Sequence, residues 1–143
     1  MSNDTTAPTI AQRFVACKRW EWLPGMLTGT GLRVDGVGYK GRPMRVVWGT
    51  GLDSWTRQRT ECYDSPSDGT HDVPDLNDDA TRGCVLGLVR KAWGEPRAYA
   101  FPRVTRPGWS CVVQTTIRGI YGPHHFEAAT EAEALLAALE AGP

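Results

Sequence analysis

A chain of 143 residues, 41% hydrophobic and 22% charged, has the size and composition of one globular domain with a single core. Its 16 Lys and Arg balance its 16 Asp and Glu, so no global charge draws it to nucleic acid or to an anionic membrane. No apolar run reaches the roughly 18–20 residues of a membrane helix, and MSNDTTAPT has no basic region leading into an apolar core, so a single domain over 1–143 in the cytoplasm is expected, with 1–9 flexible.

A short first helix is predicted to begin near Pro8 or Thr9, with Ile10, Phe14 and Cys17 on one stripe. Trp20 and Trp22 then alternate about Glu21, and Pro24-Gly25 turns the chain. From Met26 to Tyr63 the pattern is β. Leu32 and Val34 alternate with Arg33, Asp35-Gly36 reads as a hairpin turn, and Val37 and Tyr39 continue beyond it. Met44–Trp48 and Ser54–Tyr63 are further strands, so three or four antiparallel strands in a meander are expected. The glycines between 29 and 51 do not lie between a strand and a helix, which argues turns rather than a phosphate-binding loop. Residues 63–77 form a polar loop broken by Pro and Gly.

The clearest element is PDLNDDATRGCVLGLVRKAWGEP, from Pro74 to Pro96. Asp78 is placed to accept from orphan N–H groups of a first helical turn, and Asp79 adds negative charge at the positive end of the dipole. Thr81, Val85, Leu88, Val89 and Ala92 make one stripe, and Gly94 and Pro96 stop the helix. Ala98–Phe101 follows as a short strand, and Arg103–Gly108 turns the chain. In the strand Trp109–Ile117, Trp109, Cys111 and Val113 face one side and Ser110, Val112 and Gln114 the other. Gly119–Pro123 reads as a turn and His124–Ala128 as a last short strand. A final helix has Thr130 and Glu133 as a capping box, Ala132, Leu135, Leu136 and Leu139 as its apolar stripe, and Gly142-Pro143 as its stop. The fold class is therefore α+β, an antiparallel sheet packed with about three helices in the order α-βββ-α-ββ-α.

Three segments carry a family resemblance: WEWLPGM after the first helix, PDLNDDATRGCVLGLVRKAWGEP, and the Gly108-Trp109 strand leading to ATEAEALLAALEAG. Together they resemble small phage and prophage proteins of the phage ABA sandwich domain family. The resemblance implies a sheet sandwiched by helices and a phage or prophage source. It implies no activity and no catalytic residues.

Chemistry is sparse in the pattern. A zinc site needs three or four ligands converging at about 2.0–2.3 Å. Here it would have to be drawn from His124 and His125 with Cys111, or from Cys62 and His71. Adjacent histidines on a strand point to opposite faces, and no short-spaced ligand pair is present, so neither metal nor cofactor is expected. Cys17, Cys62, Cys84 and Cys111 read as free, half-buried thiols. Asp64, Asp68, Asp72 and Asp75, with Asp78 and Asp79, lack the register of a calcium loop and read as turns, caps and a solvated acidic loop. No GxSxG motif is present and no Ser or Cys lies near a histidine in a nucleophile motif.

Six tryptophans exceed what one small core needs. Trp93 and Trp109 are expected in the core. Trp48 and Trp55 flank the 49–53 turn amid Arg42, Arg45, Arg57 and Arg59, residue types that either cover a sheet with snorkelling arginines or form a binding hot spot. Charge is also segregated: Leu32–Cys62 holds six Lys/Arg and three acids, Asp64–Asp79 six Asp and no Lys/Arg, and Arg82–Arg106 six Lys/Arg and one acid. The expected function is that of a non-enzymatic, phage-type accessory protein acting by macromolecular binding. Its most concrete form is an inhibitor of a host defence complex, of the anti-CRISPR kind. The Trp/Arg region would contact a host or phage protein complex and the acidic loop a basic nucleic-acid channel. The alternatives are a nucleic-acid-binding module using the same arginines and tryptophans, or a small enzyme whose site is assembled from dispersed residues.

Overall fold

A computed structural model describes residues 7–29, 31, 33–34, 36–37, 43–48, 58–62 and 73–143, with 36–37, 43–48, 58–62 and 117 described by backbone alone. Its elements run α1 (Ile10–Ala16), β1 (Gly36–Val37), β2 (Pro43–Trp48), β3 (Gln58–Cys62), α2 (Asp79–Trp93), β4 (Tyr99–Pro102), β5 (Trp109–Ile117), β6 (Ile120–Ala128) and α3 (Glu131–Ala141). The fold is α+β. Its strands form two antiparallel three-stranded sheets, β1-β2-β3 and β4-β5-β6. The sequence pattern places a hairpin after α2; the strand at Tyr99–Pro102 joins that hairpin as a third strand, pairing Tyr99 with Val112 and Phe101 with Ser110. No helix among the described residues is long and apolar enough to cross a membrane.

The chain packs as two compact units, Met1–Trp20 with Leu88–Pro143, and Glu21–Gly87. In the first, α3 lies across all three strands of the β4-β5-β6 sheet. Ala132, Ala134, Leu135, Leu136, Ala138 and Leu139 are buried, which is the apolar stripe expected from the sequence, widened by two alanines. Cys111 and Val113 supply the buried centre of the sheet. Trp93 closes this layer at the end of α2, its ring 5.9 Å from that of Phe126 and its indole N–H donating to the Ala138 carbonyl at 2.8 Å. That polar handle explains why Trp93 is half-buried and not in the deepest core. Trp109 is also half-buried. α1 packs against α3, with Phe14 buried beside Trp20 and Arg13 paired to Glu140 at 2.5 Å. Its start carries a full capping box in which Thr9 Oγ1 accepts from Gln12 N–H and Thr9 N–H donates to Gln12 Oε1.

The β5–β6 hairpin is longer than the pattern suggests. Arg118 and Gly119, both with positive φ (51° and 79°), make a two-residue turn, so Ile120–Pro123 pairs with β5 where a loop is expected. Pro123 is tolerated because β6 is an edge strand.

In the second unit, the reversal expected at Asp35-Gly36 occurs earlier: Gly31 N–H donates to Thr28 O at 2.9 Å, Leu27 bridges Arg33, and Gly36 belongs to β1. Trp22, Met26, Thr28 and Val34 are buried in this unit. The segment is tied to the start of α2. Arg33 Nη1 and Nη2 donate to the two carboxylate oxygens of Asp78 at 2.7 and 3.2 Å, and Nη1 also reaches the Gly25 carbonyl at 2.8 Å. Asp78 Oδ2 further accepts from the Thr81 N–H and hydroxyl at 2.9 and 2.8 Å, while Thr81 Oγ1 accepts from Leu27 N–H at 2.8 Å. One carboxylate thus serves as helix cap and as partner of a guanidinium 45 residues away. At the other end of α2, Gly94 takes φ +62, a conformation open to Gly at no Cβ cost, and Glu95 N–H returns to Arg90 O.

Leu135→Ala is expected to lower unfolding stability by about 2–5 kcal/mol in a denaturant titration, since Leu135 is fully buried and leaves a cavity. The Arg33 guanidinium, followed by the Thr81 hydroxyl, pushes the Asp78 carboxyl down from 3.8 to about 2. A depressed folded-state value means that this stabilisation is complete above the unfolded carboxylate range and is lost as pH falls from 3.8 towards about 2. Asp78→Asn, which keeps a cap acceptor but no charge, should lower stability at neutral pH and flatten that part of the acid limb in a pH series of melts.

Candidate functional site

Of the residues singled out in the sequence, Arg45, Trp48 and Arg59 lie on described backbone. The pairing Val47 with Arg59 and Arg45 with Glu61 puts positions 45 and 59 on one face of the β2–β3 pair, whereas position 48, paired with Gln58, falls on the other. Arg42, Trp55 and Arg57 lie outside the described residues, as do Asp64, Asp68, Asp72 and His71. Asp75 is a turn residue: its side chain accepts from Asn77 N–H at 2.9 Å and its N–H donates to Leu27 O. Cys62 ends β3.

His124 and His125 separate by strand alternation. His124 Nε2 meets the Thr115 carbonyl at 3.1 Å, and His125 Nδ1 meets Ser110 Oγ at 3.1 Å. Cys17, Cys84 and Cys111 are free thiols; Cys111 is fully buried, and burial pushes it up to about 11, so it stays protonated. Among the described residues no three His, Cys, Asp or Glu side chains are grouped to hold a metal ion.

What the structure adds is the second face of the β4-β5-β6 sheet. Cross-strand register and alternation place Tyr99, Phe101, Ser110, Val112, Gln114, Thr116, Tyr121, Pro123, His125 and Glu127 on the side opposite Cys111, Val113 and Phe126. In the centre, Ser110 is set between Phe101 and Glu127, and Val112 between Tyr99 and His125; both central residues are about 1% exposed. Around them the face is open: Tyr99 is 45% and Tyr121 75% exposed, and Gln114, Thr116, His125 and Glu127 are exposed as well. The rings of Tyr99 and Phe101 stack at 5.6 Å. At the Trp109 end of this face, Arg103 pairs with Glu127 at 3.0 Å, and Arg106, from the β4–β5 turn, reaches the same carboxylate at 3.5 Å.

Ser110 and His125 are a nucleophile and a base within hydrogen-bond reach, but the serine is sealed in the sheet. Its hydroxyl orients the imidazole and is not presented to a substrate. A separate cleft of about 630 Å³ lies between the ends of α1 and α3, lined by Cys17, Lys18, Arg19, Leu139, Glu140 and Gly142 among others. Its one side-chain carboxylate, Glu140, is already paired with Arg13.

No family model, curated protein or solved structure matches the chain. The Trp/Arg pattern before α2 is the stronger sequence signal, and it lies outside this sheet. The alternation of Tyr99 and Phe101 on one strand, with Arg103 just beyond it, and of Tyr121, His125 and Glu127 on another, is the signal that marks the open face.

Gly108 holds the turn that places Arg103. It sits at φ +113, accepts from Arg103 N–H at 2.9 Å, and a Cβ there would lie 2.6 Å from the Ala128 carbonyl oxygen. Gly108→Ala is expected to cost about 1–3 kcal/mol of stability, read from thermal or urea unfolding.

Proposed function

We propose that this protein acts by binding another macromolecule, without catalysis, through the open face of the β4-β5-β6 sheet. The observation that carries this reading is the asymmetry of that sheet: α3 covers one face, while the other leaves Tyr99 and Tyr121 exposed and carries, at its Trp109 end, two arginines that share one carboxylate. Large aromatic and Arg side chains concentrate binding free energy because they bury much area and carry directed hydrogen bonds. A phage-type accessory role in the cytoplasm of a bacterial host, with inhibition of a host defence complex as its concrete form, is the setting that the family resemblance suggests for such binding.

The experiment compares the tagged wild-type chain with Tyr99→Ser/Tyr121→Ser. Both are passed through lysate of a bacterial host carrying defence systems, at about 0.15 M salt, where exposed charges are largely screened. A stoichiometric partner retained by the wild type and lost by a variant of unchanged melting temperature is the expected result. Equal retention by both proteins would place the binding surface elsewhere.

A further inference from the structure

The open face has a chemistry that selects among macromolecules. Taking it as the binding surface proposed above, we infer that its partner is single-stranded nucleic acid, with Tyr99, Phe101 and Tyr121 stacking bases and the arginines around them meeting phosphates.

Charge is the first ground. The chain as a whole is neutral, but Arg97–Ala128, the segment containing this sheet, carries Arg97, Arg103, Arg106 and Arg118 against the single acid Glu127. The acids that follow, Glu131, Glu133 and Glu140, lie on α3, which covers the opposite face. Screening over about 8 Å at physiological salt makes this local balance, and not the total, what a polyanion meets. Glu127 is shared by two guanidiniums, and Arg106 is 64% exposed, so one positive charge remains over at that end of the face with donors facing solvent.

The second ground is ring placement. Every base offers a π-face, so exposed aromatics bind single strands with little regard to sequence. Tyr99 lies in the row of Val112 and Tyr121 in the row of Thr116, four residues along β5 and on opposite edge strands. At the usual rise and strand spacing they are about 16 Å apart, a reach suited to a few bases spread over an open sheet face. Between the rings lie Gln114 and Thr116, polar groups suited to base edges and poorly suited to a dry apolar interface core. A three-stranded platform also differs from the helix or two-stranded ribbon that a duplex major groove admits.

The test is fluorescence anisotropy of labelled single strands of roughly 12 nucleotides, deoxyribo and ribo, titrated with the full chain. Saturable binding is expected, weaker for a duplex of equal length and falling steeply between about 0.05 and 0.2 M salt. Tyr99→Ala/Phe101→Ala should weaken it by about tenfold or more. Arg106→Ala should weaken it evenly across sequences and reduce the salt slope by about one. Should the double variant fail to fold, the exposed Tyr121→Ala carries the same expectation of lost affinity. Absence of saturable binding to either strand type, or binding that folded aromatic variants leave unchanged, overturns the inference. If single strands do not bind while a protein partner is still lost on Tyr99→Ser/Tyr121→Ser, the inference falls and the broader reading stands; if neither is bound, both fall.

Discussion

The carboxylate of Asp78 is the constraint on which much of this structure rests. It stands at the start of the longest helix described, where four backbone N–H groups have no helical partner. It satisfies one of them through Thr81 and spends its remaining acceptor capacity on the Arg33 guanidinium. Because Arg33 also holds the Gly25 carbonyl, and Thr81 takes the Leu27 N–H, the helix start and the 25–34 segment have one joint geometry. Arg33 is partly solvated, so the contribution of the pair lies in charge-assisted direction more than in buried Coulomb energy. The same helix ends at Trp93, whose ring and indole N–H bind Phe126 and the Ala138 carbonyl.

The β4-β5-β6 sheet shows how one antiparallel layer can be covered by a helix on one side and keep exposed rings at the margins of the other. On the covered side, Cys111 and Val113 meet an α3 face rich in Ala and Leu, small enough to approach the strands closely and apolar enough to repay burial. On the other side, the buried centre is the short pair Ser110 and Val112, and the edge strands contribute large residues, Tyr99 and Phe101 on β4 and Tyr121 and His125 on β6. The result is a shallow platform whose margins carry aromatic rings. Ser110 fits this account: its hydroxyl holds His125 in place from beneath the surface.

Charge follows the same division. Acids lie on α3, where Glu131 and Glu133 in the first turn favour the positive end of its dipole. Arginines flank the strands and the turns at either end of the sheet. A chain with zero formal net charge thereby carries four arginines against one acid between Arg97 and Ala128.

Helix ends were legible in the sequence because capping is local. Asp78 and Thr81, Thr130 and Glu133, and Gly94 after Trp93 act within three or four residues of one another. Apolar stripes were legible for the same reason: Val85, Leu88, Val89, Leu135, Leu136 and Leu139 declare a buried face by spacing alone. The α+β class followed from those stripes and from the period-two runs. Periodicity states which residues share a face but not what covers it, so the open side of β4-β5-β6 had to come from the packing of α3. Nor does it give partners far along the chain: Arg33 reads as an ordinary strand cation until the fold brings it to Asp78. The lengthening of β6 depended on Arg118 adopting a left-handed conformation, which its side chain disfavours and the hairpin imposes. Which of the tryptophans with described side chains is most deeply buried was likewise settled by tertiary structure. Trp22, in a short alternating segment, lies in the core, while Trp93 stays at its margin because its indole N–H must find an acceptor.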